Sequence, residues 1–102
     1  MIFALICKDK PGSLELRLAN RPAHLDYLDG LNARGVLKFA GPFIGGDGKP
    51  FGSLVAVEAE SRAAAQAIAE ADPYARAGLF DGVEINAWNW VFNAPDEKAE
   101  TK

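Results

Sequence analysis

The side chain best suited to moving a proton in this sequence is its single histidine, His24. An imidazole titrates near neutrality, so one well-placed ring can serve as a general base or acid. It works best when a carboxylate accepts from one ring nitrogen, which fixes the tautomer and leaves the other nitrogen for a substrate. Asp72 is the carboxylate that the order of elements, derived below, brings toward His24. Arg17 and Arg21 lie four residues apart, so on an unbroken helix they share a face and suit an anionic or phenolate group beside His24. Each candidate has a plainer rival. A lone histidine is often a surface or satisfied core residue, and Asp before Pro is a common turn former. Arg17 or Arg21 could simply pair with Glu15, Asp26 or the acidic end of the chain. Tyr74, Phe51 and Trp88 are candidates to line a pocket, although such aromatics also serve cores and interfaces. Gly41 and Pro42 shape a strand end and offer at most a backbone contact to a ligand.

The totals narrow the partners. A chain of 102 residues is expected to form one domain, and at this size a second subunit on an apolar face would help bury it. With a net charge of −3 and its basic residues scattered, it lacks the basic stripe of a nucleic-acid binder. One His and one Cys leave only carboxylates as further metal ligands, so no metal site is expected, and no cofactor motif is present. Cys7 has no internal partner for a disulfide. The apolar opening lacks a basic n-region and is too short to span a bilayer, so a cytoplasmic, membrane-free protein is expected.

Patterning supplies the elements. Residues 2–7 are a continuous apolar run of strand length, implying a strand covered on both faces. Leu25, Leu28 and Leu31 recur at helical spacing. Pro22 predicts a short helical turn over 13–19 and a main helix starting near Arg21 or Pro22, with Asn20 as N-cap; a single kinked helix is the other possibility. Gly35 closes it. Residues 36–42 and 53–59 read as strands joined by a glycine-rich hairpin, which lacks the following Gly-Lys-Ser/Thr of a phosphate loop. Ser61 caps an alanine-rich helix over 62–71, ended by Asp72 before Pro73. Residues 83–92 form the last strand. The domain is expected over 1–93, with a frayed tail over 94–102.

This order predicts an α+β fold of the ferredoxin-like βαββαβ kind: a four-stranded antiparallel sheet with two helices on one face. Antiparallel helices bring Asp72, at the end of the second, toward His24, near the start of the first. The opposite sheet face, carrying Trp88, Trp90 and Phe3 or Ile2, would be bare, which predicts a homodimer packed sheet to sheet.

The stretch from Leu16 to Leu28, containing Arg21, Pro22, Ala23, His24 and Leu25, resembles the signature of the YciI-like (YCII-related) family. Gly35, the stretch from Val36 through Ala40, Gly41 and Pro42, the Asp72, Pro73, Tyr74 element, Gly78 and Trp88 add to the likeness, which spans residues 1–92. The resemblance implies a dimeric α/β-barrel of ferredoxin-like subunits and a His–Asp active site at His24 and Asp72. Relatives in that family and its superfamily include a dehydrochlorinase of a chlorinated hydroquinone and muconolactone isomerases.

Two functions therefore compete. The first is a cofactor-independent lyase or isomerase in which His24, oriented by Asp72, acts on a small cyclic or aromatic, anionic compound, with Arg17, Arg21, Gly41, Pro42, Tyr74 and Trp88 around it. The second is a non-catalytic binding or accessory module using the same cleft. Haem handling, as in some superfamily neighbours, is a minor third.

Overall fold

A computed structural model describes residues 1–95. Strand β1 (Ile2–Asp9) leads into helix α1 (Leu14–Ala33), followed by the hairpin β2 (Leu37–Ile44) and β3 (Pro50–Glu58). Helix α2 (Arg62–Ala71), a one-turn helix α3 (Pro73–Arg76) and strand β4 (Phe80–Trp88) complete the fold. The four strands form one sheet in the order β2-β3-β1-β4, with every neighbouring pair antiparallel. The expected ferredoxin-like α+β arrangement is what the chain adopts.

Alternation along the strands divides the sheet into two faces. Phe3, Leu5 and Cys7 of β1, Val55 and Val57 of β3 and Ile85 of β4 meet Leu28 and Leu31 of α1 and Ala65 and Ala69 of α2 in the core. Ala65 and Ala69 let α2 lie close to the sheet. Phe3 is thus on the helix side, and Ile2 is paired with Trp88 in the register of β1 with β4.

Among the described residues, no helix covers the other face. Its centre is small: Ala4 and Ala56 are partners across the two middle strands. Over them, rings from the two outer edges meet. Phe39 on β2 lies edge-on to Trp88 at 5.5 Å and to Trp90 at 5.0 Å, distances at which aromatic rings attract. Ala56 is fully covered, yet Trp88 keeps 39% of its surface exposed.

Three local expectations are corrected. Helix α1 runs unbroken from Leu14 to Ala33 with Pro22 inside it. An interior proline forgoes one helical hydrogen bond and costs about 3 kcal/mol. Buried side-chain bonds from Arg17 and His24, on either side of Pro22, hold the helix through the defect. Asn20 is consequently no N-cap; its amide donates to the Leu16 carbonyl. Strand β4 starts at Phe80 and ends at Trp88 rather than continuing to Phe92, because Trp88 already faces Ile2, the first residue of β1. Most of the expected tail, 94–102, lies outside the described residues; only Ala94 and Pro95 are within them.

Two glycines set the helix ends. Gly35 (φ 74°) follows α1, where the Val36 N–H donates to the Leu31 carbonyl and the Gly35 N–H to Asn32. Gly78 (φ 79°) does the same after α3, where the Leu79 N–H returns to the Tyr74 carbonyl. Both are left-handed C-terminal closures in which glycine avoids a Cβ clash. The second one anchors Tyr74. Ser61 caps α2 as expected, its hydroxyl accepting from the Ala64 N–H at 3.0 Å.

Candidate active site

Asp72 has two structural jobs before any chemical one. It ends α2 in an extended conformation (ψ 131°) and caps α3, with Oδ1 accepting from the Tyr74 N–H at 2.9 Å. Proline at the first position of α3 removes a donor that would have gone unused. That cap turns the carboxylate toward α1. His24 Nδ1 lies 2.9 Å from Oδ1 and 3.0 Å from Oδ2, with both side chains buried. A carboxylate only accepts, so the proton sits on Nδ1. Nε2 has no hydrogen-bond partner among the described residues, and His24 lines a cavity.

Tyr74 holds the imidazole from the side. Its ring stacks on His24 at 3.9 Å with an interplanar angle of 14°, and the Arg17 guanidinium carbon lies 4.9 Å over the same ring. Arg17 and His24 are two helical turns apart on one face of α1, about 10 Å along the axis, which leaves space for one ring between them. Arg17 is itself pinned, with one terminal nitrogen 2.8 Å from Asp9 Oδ2 and the other donating to Ser53 Oγ at 2.7 Å. Asp9 and Ser53 were not singled out by sequence reading. Both sit in the helix-facing row of their strands, Asp9 after Phe3, Leu5 and Cys7 and Ser53 before Val55 and Val57, where a polar residue needs a buried partner.

The cavity has a volume of about 270 Å³. An apolar cavity of roughly 150 Å³ holds a benzene ring, so this one suits a single substituted ring. Leu18, Leu25 and Leu28 of α1 form one wall, and Ala40, Gly41, Pro42, Pro50 and Val55 of the hairpin form the other. Arg17, Arg21, His24, Ser53 and Tyr74 supply the polar groups. Among the described residues no carboxylate lines it. A chain of net charge −3 thus presents a cavity whose only charged side chains are two arginines. The Leu18 and Leu25 side chains, exposed at 55% and 40%, are apolar surface turned to this wall instead of the core.

Of the residues singled out in the sequence, the structure brings His24, Arg17, Arg21, Gly41, Pro42 and Tyr74 to the lining of this cavity, with Asp72 bonded to His24 but outside the lining. The unbroken helix keeps Arg17 and Arg21 on one face. Arg21 is exposed and has no ion-pair partner among the described residues, whereas Arg17 is buried and pairs with Asp9 rather than with Glu15, Asp26 or the chain end. Trp88 does not join them. It stands three residues from the inward Ile85, hence on the opposite sheet face, packed against Phe39 and Trp90. Phe51 also stays outside the lining and stacks on Phe43 at 5.9 Å.

Burial shifts the neutral acids around the site upward. Cys7, beneath the sheet face, is pushed up to about 12 by burial, reinforced by the negative charges of Asp72 and Asp9 and opposed by Arg17. Burial likewise raises the Tyr74 phenol, while the arginine charges of Arg17 and Arg21 pull it down. At neutral pH both are protonated.

Comparison with known proteins places this geometry. Protein YciI from Escherichia coli is 42% identical over 98 residues, covering 90% of this chain and all of its own. An uncharacterized protein from Haemophilus influenzae is 35% identical over the same span. Among solved structures, 5-chloro-2-hydroxyhydroquinone dehydrochlorinase from Burkholderia phenoliruptrix AC1100, in complex with 2,5-dihydroxybenzoquinone, superposes with a TM-score of 0.79 at 38% identity. The match covers 86% of this chain and 93% of that one. The YCII-related domain matches residues 1–89, and the chain belongs to that family.

Proposed function

We propose that this chain is a cofactor-independent lyase or isomerase that uses His24 as its base on a small ring compound. The observation that carries the reading is the orientation of His24: Nδ1 is held by Asp72 while Nε2 lacks a partner among the described residues, and His24 lines a one-ring cavity. The dehydrochlorinase likeness supports the same class of chemistry.

The step needs one base. Nε2 takes a proton from a ring carbon, and the C–H electron pair forms a new double bond. In an elimination the neighbouring leaving group departs with its own pair. In an isomerisation the imidazolium returns the proton to another carbon. The imidazolium that exists between these events is stabilised by the Asp72 carboxylate against Nδ1. A positioned base of this kind commonly contributes about a hundred- to ten-thousand-fold in rate. Arg21 at the mouth of the cavity favours an anionic or phenolate substrate, and Gly41 and Pro42 bound the space for its ring. The partly exposed aromatic face around Trp88 and Phe39 is where a second copy of the chain would pack, as the family resemblance implies. Light scattering that gives twice the chain mass, lost on Trp88→Asp, supports this; a monomeric wild type rejects it.

The test measures chloride release from 5-chloro-2-hydroxyhydroquinone and isomerisation of muconolactone by wild type and His24→Ala. Turnover of one compound, lost in the variant while its far-ultraviolet circular dichroism is unchanged, supports the reading. Turnover of neither, or equal turnover by both proteins, overturns it.

A further inference from the structure

The Tyr74 hydroxyl has no assigned task. A buried phenol normally finds a hydrogen-bond partner, because leaving it unpaired costs free energy. Tyr74 is 1% exposed, its ring is fixed between His24 and Arg17, and its backbone is tied by the Asp72 cap. Yet its hydroxyl makes no hydrogen bond to any described residue. The hydroxyl is also absent from the sealed, unpartnered side-chain atoms, a set that holds only Asp9 Oδ1, so some of the little surface Tyr74 keeps belongs to it. Tyr74 is among the residues that line the cavity. The phenol is therefore a rigidly held donor with no acceptor among the described residues.

The surroundings define the acceptor. Arg21 stands three residues before His24 on the same helical face, lines the same cavity, and carries a cation with no ion-pair partner among the described residues. The Arg17 guanidinium spends its hydrogen bonds on Asp9 and Ser53 but leaves its charge beside the phenol. No acidic side chain among the described residues lines the space. Two cations and a fixed O–H donor facing one cavity form a subsite for oxygen bearing negative charge.

We propose that Tyr74 and Arg21 form an oxyanion subsite, in which the Tyr74 hydroxyl donates to an ionised ring oxygen of the ligand while Arg21 supplies the charge. This rests on the same cavity as the proposed activity and deepens it: the ligand class is a planar, single-ring enolate or phenolate. Such an oxygen held opposite His24 would take up the electron density released when Nε2 removes the ring proton. Tyr74 then contacts the ligand directly, while Arg17 is a positioning residue acting through the Tyr74 ring.

The experiment is calorimetric titration with two probes, 2,5-dihydroxybenzoquinone, an anion at neutral pH, and hydroquinone, its neutral relative. Tyr74→Phe keeps the ring between Arg17 and His24 and removes only the hydroxyl; its melting temperature, compared with wild type, verifies that the fold is kept. Wild type is expected to bind the anion at least tenfold more tightly than hydroquinone. Tyr74→Phe should lose roughly tenfold in anion affinity, the worth of a charge-assisted hydrogen bond, with little change for hydroquinone. Arg21→Gln should lose anion preference as well. A folded Tyr74→Phe variant that binds the anion as tightly as wild type overturns the subsite, as does a wild type that does not prefer the anion. Because binding is read without turnover, the two proposals fail separately. A chain that binds the anion through Tyr74 but turns over nothing keeps the subsite and discards the base. His24-dependent turnover with no effect of Tyr74→Phe on anion binding does the reverse.

Discussion

Asp72→Asn isolates what the carboxylate does for His24, because the replacement has the same shape. In the native site Oδ1 accepts from the Tyr74 N–H at 2.9 Å, and both oxygens lie within 3.0 Å of His24 Nδ1. An asparagine that keeps the cap must place its carbonyl oxygen where Oδ1 stands. Its amide then occupies the Oδ2 position and can only donate toward His24. Nδ1 becomes the acceptor, and the proton of the neutral ring moves to Nε2. The nitrogen facing the cavity is then a donor instead of a base. The expected loss is therefore the full contribution of general-base catalysis, about a hundred- to ten-thousand-fold, or roughly 3–5 kcal/mol of barrier. Stability should fall less, by about 1–3 kcal/mol, since one charge-assisted bond is replaced by a neutral one and the cap survives. Two-dimensional nitrogen-15 NMR of the imidazole reads the tautomer directly, and chloride release or isomerisation reads the rate. A variant with the native tautomer and an undiminished rate would refute this reasoning.

Other consequences are stability measurements. Arg17→Ala and Asp9→Ala each strand a buried charge and should each cost about 3–5 kcal/mol in urea unfolding, while the double variant costs well under their sum; strict additivity would show that the pair is not coupled. Cys7 should resist iodoacetamide in the folded protein at pH 8 and react once urea unfolds it, because burial holds its thiol up to about 12; fast labelling of the native protein contradicts this. The folded value lies above the unfolded one, so this stabilisation is complete below about pH 9 and is lost as pH rises toward about 12. Tyr27 and Tyr74, also raised by burial, act in the same direction. Thermal melting at pH 8 and pH 11 should show the drop.

The approach of His24 to Asp72 was legible because it depends on order and handedness: two antiparallel helices on one sheet face leave few other places for those ends. Arg21 was legible from its four-residue spacing to Arg17, and Tyr74 from the family resemblance around Asp72 and Pro73. What misled was local chemistry that tertiary contacts override. Pro22 reads as a helix start, but the buried bonds of Arg17 and His24 carry the helix across it. Alternation in the last strand continues to Phe92, while the partner strand stops at Ile2, so pairing ends at Trp88. Trp88 is both a candidate pocket aromatic and a candidate for the bare face in the sequence, and its parity with Ile85 places it on that face. Asp9 escaped notice because it lies between Lys8 and Lys10, beyond the apolar run over 2–7, and Ser53 because a polar residue beside an apolar run says only that a partner exists. Which partner it is depends on a contact between β1 and α1 that spacing does not encode.

The most direct measurement is a crystal structure of this protein with 2,5-dihydroxybenzoquinone. The expected result places the ring between Leu25 and Pro42, with an atom of the ligand within about 2.6–3.2 Å of His24 Nε2. A ligand bound elsewhere, or a His24 ring with Nε2 closed off by protein, would contradict it.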